Sequence, residues 1–102
     1  MRLNKEITCK DGFTMSVQAN QGAYCTPRID NASKYHAVEV GYPSEKEDLL
    51  LEWAESPQTP TQSVYGWVPA TQITLVVVKH GGIVSGELPP GIPYLQAKDN
   101  GI

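Results

Sequence analysis

The sequence predicts an α+β domain, in which an antiparallel sheet of three to five strands carries one or two helices on one face. Three observations support this prediction. Apolar and polar residues alternate in residues 7–19, 35–42 and 64–68, as they do in half-buried strands. Residues 44–55 and 69–80 instead combine helix boundary signals with apolar positions that share one face. With 102 residues, the chain has the length of a single domain.

A β-hairpin is expected at residues 7–19, with an Asp-Gly pair at its turn. A three-residue loop with Gly12 in the left-handed conformation pairs Ile7 with Met15 and keeps one face of the hairpin apolar. A two-residue loop would shift the register and mix polar with apolar side chains on both faces. The three-residue loop is therefore predicted, and it directs Cys9 into the core.

Two further strands are expected, at residues 35–42 and 64–68. In the first of them, the alternation places Val38, Val40 and Tyr42 on one face. The polar residues between this strand and the hairpin contain a proline, so they are predicted to form an irregular loop.

A helix is expected over residues 44–55, because a serine followed three positions later by a glutamate forms a capping box. Its apolar stripe would include Leu50 and Trp53. Leu51 falls outside that stripe and is available to a partner. The acidic residues would form the solvated face of this helix: Glu45, Glu47, Asp48 and Glu52.

A second helix is expected over residues 69–80, since proline suits the first helical position and Gly81 suits the end. Residues 74–78 are rich in β-branched side chains, so the same segment also suits a buried strand. As a helix it would be apolar nearly all round, because Leu75 and Val78 lie outside its main apolar face. Such a helix is expected to be deeply buried or to pair with another subunit. Its main apolar face comprises Ile73, Val76, Val77 and His80.

The domain is expected to span residues 1–83 and to be followed by a proline- and glycine-rich tail at residues 84–102. The density of these residues disfavours any regular element of useful length. The tail is expected to be an arm on a neighbouring subunit or to be partly disordered.

Composition argues against several classes of function. The formal net charge of -3 disfavours duplex nucleic acid, where affinity depends on many phosphate contacts, but it permits a small nucleotide. The 2 cysteines cannot form a disulfide framework. No signal peptide is visible, and no apolar run is long enough to cross a membrane. A cytoplasmic protein with free thiols is therefore expected.

Neither a catalytic site, a metal site nor a cofactor is expected. A zinc site needs three or four ligands, but Cys9 is assigned to the core, and His36 and His80 belong to separate elements. Cys25 lacks a local signature for nucleophilic catalysis, and a cysteine without one is more often a small buried residue. The protein is therefore predicted not to be an enzyme.

The candidate ligand-binding residues begin in the loop after the hairpin, with Tyr24, Thr26 and Arg28. Arginine offers a planar fork that fits phosphate or carboxylate, and the preceding proline reduces the entropy lost on binding. The competing interpretation of Arg28 is an exposed residue in a surface ion pair.

Three further candidates lie later in the chain. Tyr65 and Trp67 are predicted to share one face of the third strand, where they would either stack a nucleobase or pack in the core. Lys79 is a second candidate cation for phosphate. The adjoining Gly81-Gly82 pair follows the helix instead of preceding it, so a helix C-cap is favoured there over a phosphate loop.

Several stretches together resemble a group of small accessory proteins of tailed phages and prophages. They are Lys10-Asp11-Gly12-Phe13, Ser16-Val17-Gln18-Ala19, Tyr24-Cys25-Thr26-Pro27-Arg28, Val38-Glu39-Val40-Gly41-Tyr42-Pro43-Ser44, Val64-Tyr65-Gly66-Trp67-Val68-Pro69 and Lys79-His80-Gly81-Gly82. The resemblance covers about residues 5–83 and implies a protein of the host bacterial cytoplasm that acts against host defence.

The expected function is therefore non-enzymatic sequestration of a small nucleotide-type signal by a homo-oligomer. Arg28 and Lys79 would hold phosphate, while Tyr24, Tyr65 or Trp67 would stack the base. The alternative is a protein–protein inhibitor of a host defence protein, which would use Leu51, the acidic helix residues and the tail.

Overall fold

The computed structural model describes residues 2–98 and shows an antiparallel five-stranded sheet with one α-helix packed on one face. This architecture confirms the predicted α+β class. The strands are β1 (Ile7–Cys9), β2 (Thr14–Gln18), β3 (Ala37–Gly41), β4 (Val64–Pro69) and β5 (Ile83–Ser85), and the helix is α1 (Ala70–Lys79). Their order across the sheet is β4-β3-β2-β1-β5. Two short 3-10 helices, Leu51–Trp53 and Pro60–Gln62, lie between β3 and β4.

The hairpin of β1 and β2 has the predicted register. Ile7 lies opposite Met15, and Gly12 has a φ of 95°, in the left-handed region that glycine adopts without a steric penalty. The Gly12 amide donates to the Cys9 carbonyl at 3.0 Å, which closes the loop. Cys9 is buried as expected, and burial together with the negative charge of Asp11 raises the pKa of its thiol to about 11.

The core lies between α1 and the inner face of the sheet. Proline at its start and glycine after its end bound α1, and its buried face packs on the strands. The helix prediction for this segment is therefore confirmed over the strand alternative. However, Leu75 and Val78 are 52% and 62% exposed, so the helix is not deeply buried on all sides. The buried residues of the helix face are Ile73, Val76, Val77 and, just after its end, His80.

The predicted helix at residues 44–55 is wrong. The Ser44 hydroxyl accepts a hydrogen bond from the Thr14 amide at 3.0 Å, and the Ser44 amide donates to the Thr14 carbonyl at 2.9 Å. Ser44 therefore binds β2 instead of capping a helix. Glu47 turns inward and is 1% exposed, where it meets charged side chains from α1. Tertiary contacts thus override a local capping signal.

The end of β3 departs from the predicted alternation. Val38 and Val40 are fully buried, but Tyr42 is 59% exposed. Its φ of 50° turns the chain out of the extended conformation, so its ring leaves the inner face.

Residues 84–98 differ from the predicted tail. β5 pairs with β1, and Ile83 forms a parallel bridge with Gln96. The Tyr35 amide donates to the Pro90 carbonyl at 2.9 Å, and Ile92 is buried in the core. This segment is packed on the sheet, although most of it is irregular. The remainder of the predicted tail, residues 99–102, lies outside the described residues.

Candidate ligand-binding site

The site is built on a β-bulge in β4. Val68 lies opposite Val38, and Tyr65 lies opposite Val40, so Gly66 and Trp67 together face the single residue between them on β3. Trp67 has a φ of 52°, a conformation that costs a bulky residue about 1–3 kcal/mol. Trp67 is 51% exposed as a result, whereas Tyr65 is fully buried.

Tyr24 lies over this bulge, on the face of the sheet opposite α1. The Trp67 amide donates to the Tyr24 carbonyl at 3.0 Å, and the Tyr24 amide donates to Oε1 of Glu39 at 2.9 Å. A Cβ atom at Gly66 would lie 3.3 Å from the Cβ of Tyr24. The absence of a side chain at Gly66 therefore lets the tyrosine pack closely against β4.

Tyr24, Trp67 and Arg28 form one stack, which we call the aromatic platform. The Tyr24 and Trp67 ring centroids are 5.0 Å apart with 22° between the ring planes. The guanidinium carbon of Arg28 lies 5.3 Å from the Tyr24 centroid, within the range of a cation–π contact. Arg28 is exposed and forms no ion pair with any of residues 2–98. Its N–H groups can therefore bind an anion while the Tyr24 ring orients the guanidinium.

Backbone hydrogen bonds of Thr26 fix the loop that carries Tyr24 and Arg28. The Thr26 amide donates to the Ala37 carbonyl at 3.1 Å, and the Thr26 carbonyl accepts from the His36 amide at 2.8 Å. The backbone of the predicted candidate Thr26 thus pairs with Ala37, the first residue of β3, and the residue is exposed. Cys25 is buried, and its thiol donates to the Asn20 carbonyl at 3.2 Å.

The structure does not bring Tyr65 or Lys79 to the platform. The expectation that Tyr65 shares a face with Trp67 is wrong, because the bulge reverses the side-chain alternation between them. The Tyr65 hydroxyl donates to the Pro60 carbonyl at 2.6 Å, and burial raises its pKa. Lys79 forms an ion pair with Glu47 at 2.9 Å.

That ion pair belongs to a charged cluster that the sequence did not indicate. His80 Nδ1 lies 2.6 Å from Oδ2 of Asp11, and His80 Nε2 lies 2.6 Å from Oε1 of Glu47. The imidazole also stacks on Phe13, with centroids 4.1 Å apart. His80 and Glu47 are 5% and 1% exposed. A histidine on the buried face of α1 was the available signal, but its partners lie 33 and 69 positions away.

Hydrogen bonding sets the charge states in this cluster. Burial disfavours the imidazolium, but hydrogen bonds to the two carboxylates outweigh it and raise the pKa of His80. Burial would likewise raise the pKa of Glu47, but hydrogen bonds from the Leu49 amide and the Lys79 and His80 side chains lower it. Since both imidazole nitrogens are bound to carboxylates, His80 cross-links three segments and has no nitrogen left for acid–base chemistry.

A groove of about 360 Å³ lies beside the platform on the same open face of the sheet. Strand residues form its floor, and Tyr42 stands at its side. The residues of β2, β3 and β4 and the adjoining Tyr42 that line the groove are Ser16, Gln18, Glu39, Gly41, Tyr42 and Val64. A second depression, of about 320 Å³, lies between Asn4, Asp30 and Pro89, and neither Glu39 nor any other residue of β3 lines it.

None of the helices within residues 2–98 is long and apolar enough to span a bilayer. Searches of protein-family models, of curated proteins and of solved structures find no match to this chain. Its function is therefore inferred from the residues of the site.

Proposed function

We propose that the protein is a non-enzymatic binding protein that sequesters a small nucleotide-type ligand at the aromatic platform. The observation that carries this proposal is the placement of Trp67. A half-exposed tryptophan is held in a strained backbone conformation and stacked on a tyrosine that also positions a free guanidinium. Strained residues of this kind concentrate at ligand-binding sites.

The groups of the platform match the parts of a nucleotide. The exposed surface of Trp67 can stack a base, an interaction worth about 1–3 kcal/mol. Arg28 can form paired, charge-assisted hydrogen bonds to a phosphate. Apart from the Tyr24 phenol, the platform holds no group that commonly acts as a nucleophile or transfers a proton, which supports binding without turnover. The resemblance to small phage proteins supports the narrower proposal that the ligand is a host defence signal.

Calorimetric titration tests the proposal with a panel of cyclic dinucleotides, cyclic trinucleotides and cyclic ADP-ribose isomers. At least one should bind the wild-type protein, and Trp67→Ala and Arg28→Ala should each weaken it at least tenfold. Tyr94→Ala is the matched control, because Tyr94 is 47% exposed and its hydroxyl donates to the Gly86 carbonyl just after β5, at the sheet edge opposite β4. A folded protein that binds no member of the panel contradicts the proposal.

A second measurement separates sequestration from catalysis. After incubation, the complex is denatured by heat and the released ligand is analysed by mass spectrometry. Quantitative recovery of the unchanged ligand is expected. A converted product that accumulates beyond one equivalent of protein would show turnover and would exclude simple sequestration.

One observation favours the alternative function, inhibition of a host protein. Leu75 and Val78 are exposed and lie one turn apart on α1, where an apolar partner surface could cover them. The α-helical surface expected from the sequence does not form, although Leu51 is half-buried and Glu52 is exposed in a 3-10 helix. Under this alternative, Leu75→Asp should abolish capture of one stoichiometric host partner, and Trp67→Ala should have little effect.

A further inference from the structure

Glu39 links the platform to the groove beside it. It is the residue of β3 that faces Gly66 and Trp67 in the bulge, and paired strands lie about 5 Å apart. Its Oε1 atom accepts the Tyr24 amide at 2.9 Å, so the carboxylate is fixed in position by the same residue that forms the platform. The half-buried side chain also lines the groove.

The second oxygen of Glu39 is uncommitted. Among residues 2–98, no donor is found for Oε2, and no Lys, Arg or His forms an ion pair with this carboxylate. The neighbouring Gln18 differs, because its amide group is bound to the Asn4 backbone and to the Ser16 hydroxyl. Within the described part of the chain, Glu39 therefore presents a charged acceptor that no other group binds.

We infer that the groove holds the ribose of the nucleotide, with Oε2 of Glu39 accepting hydrogen bonds from the sugar hydroxyls. This inference rests on the proposed function and names the ligand class as a ribonucleotide. A carboxylate accepts hydrogen bonds from neighbouring hydroxyls, as the acidic residue of dinucleotide-binding folds does with ribose. It repels phosphate, so the groove takes the sugar and Arg28 takes the phosphate.

The charges of the site thus fix the orientation of the ligand. The base lies on Trp67, the ribose points towards Glu39, and the phosphate points towards Arg28. Because the carboxylate is held by the Tyr24 amide before the ligand arrives, little conformational entropy is lost when the hydroxyls bind.

Calorimetry with matched ligands tests the inference. A ribonucleotide that binds the wild-type protein is compared with its 2′-deoxy and 3′-deoxy analogues, and at least one deoxy analogue should bind about tenfold more weakly. Glu39→Gln retains an oxygen that can accept the Tyr24 amide but removes the charge. This variant should lose most of the discrimination while still binding the deoxy analogue with its wild-type affinity or better.

The controls separate failure of the inference from failure of the proposed function. Glu52→Gln removes an equivalent charge from an exposed residue outside the groove and should preserve the discrimination. Equal binding of ribo and deoxy ligands, with binding still dependent on Trp67, overturns the inference and leaves the platform intact. The same conclusion follows if Glu39→Gln weakens all ligands equally, since Glu39 would then only position Tyr24. No nucleotide binding by the wild-type protein overturns both.

Discussion

Trp67 adopts a backbone conformation that few tryptophans adopt, and it leaves 51% of its surface exposed. Its φ of 52° costs about 1–2 kcal/mol in an L-residue, and glycine adopts it freely. Stacking on Tyr24 contributes about 0.5–1.5 kcal/mol in return. Tryptophan thus accepts a strained backbone at this bulge and still leaves half of its surface exposed, which favours a binding role over a purely structural one.

Replacing Trp67 with glycine should separate these two roles. We expect Trp67→Gly to lower the free energy of unfolding by no more than about 2 kcal/mol, because relief of the strained φ offsets part of the lost stacking and burial. Chemical denaturation measures this change, and nucleotide titration of the same sample should show no binding. A loss of more than 3 kcal/mol would show that Trp67 is primarily a structural residue.

The charged cluster connects three elements of the fold through the buried side chain of His80. Asp11 comes from the turn of the first hairpin, Glu47 from the irregular segment after β3, and His80 from the end of α1. The buried imidazolium and carboxylate satisfy each other in the core, where an unpaired charge would be costly.

Removing the Glu47 charge should therefore be costly. Glu47→Gln leaves a buried imidazolium with only one carboxylate, and we expect it to destabilise the protein by about 3 kcal/mol, as breaking buried ion pairs does. Glu45→Gln is the matched control, since Glu45 is exposed two positions earlier, and its effect should stay within about 0.5 kcal/mol. Equal stability of the two variants in urea denaturation would contradict the structural role of the cluster.

The pKa shifts of the cluster also predict how stability depends on pH. The pKa of His80 is raised, so its contribution is complete below the ordinary value of 6.5 and is lost as pH rises through the folded-state pKa. The pKa values of Glu47 and Asp11 are lowered from 4.5 and 3.8. Their contributions are complete above those values and are lost as pH falls through the folded-state pKa values.

Stability should accordingly be greatest between about pH 4.5 and 6.5. The free energy of unfolding, measured by urea denaturation from pH 3 to pH 9, should decrease on both sides of that interval. In His80→Gln the decrease on the alkaline side should disappear. Wild-type stability that increases steadily from pH 6.5 to pH 9 would contradict the assigned charge states.

The folded domain includes residues 84–98, which the proline- and glycine-rich composition predicted to be a tail. Ile92 is 7% exposed within the core, and the neighbouring Pro90 binds the backbone before β3. Ile92→Ala should therefore destabilise the protein by about 2–4 kcal/mol through the lost burial and the cavity left behind. Leu95→Ala is the control, because Leu95 is 39% exposed, and it should cost less than 1 kcal/mol. Thermal denaturation of both variants tests whether this segment belongs to the folded unit.

Features with local causes could be predicted from the sequence. The alternation around Gly12 determined the register of the first hairpin, and proline and glycine marked the ends of α1. Tyr24 and Arg28 could be proposed as binding residues because loops at strand ends carry such residues, whereas the prediction of Trp67 rests on a strand alternation that the bulge interrupts.

Features with distant causes could not be predicted. Glu47 is buried because it pairs with a histidine 33 positions away. The capping-box pattern is present in the sequence, but the helix that it predicts does not form. The bulge at Trp67 depends on the partner strand, and Gly66 was its available local signal, since an isolated glycine in a strand often marks a bulge. Because of that bulge, Tyr65 and Trp67 lie on opposite faces of β4, and only part of the predicted site is brought together.

The most direct test of the platform is an NMR titration of the ¹⁵N-labelled protein with the same nucleotide panel. The chain has 2 tryptophans, so the indole signal of Trp53, half-buried in the 3-10 helix, is an internal reference for that of Trp67. Binding should shift the Trp67 indole, the Arg28 side chain and the Tyr24 amide, and should leave the Trp53 indole unchanged. A bound nucleotide that leaves the Trp67 indole unperturbed would contradict the assignment of the binding site to the platform.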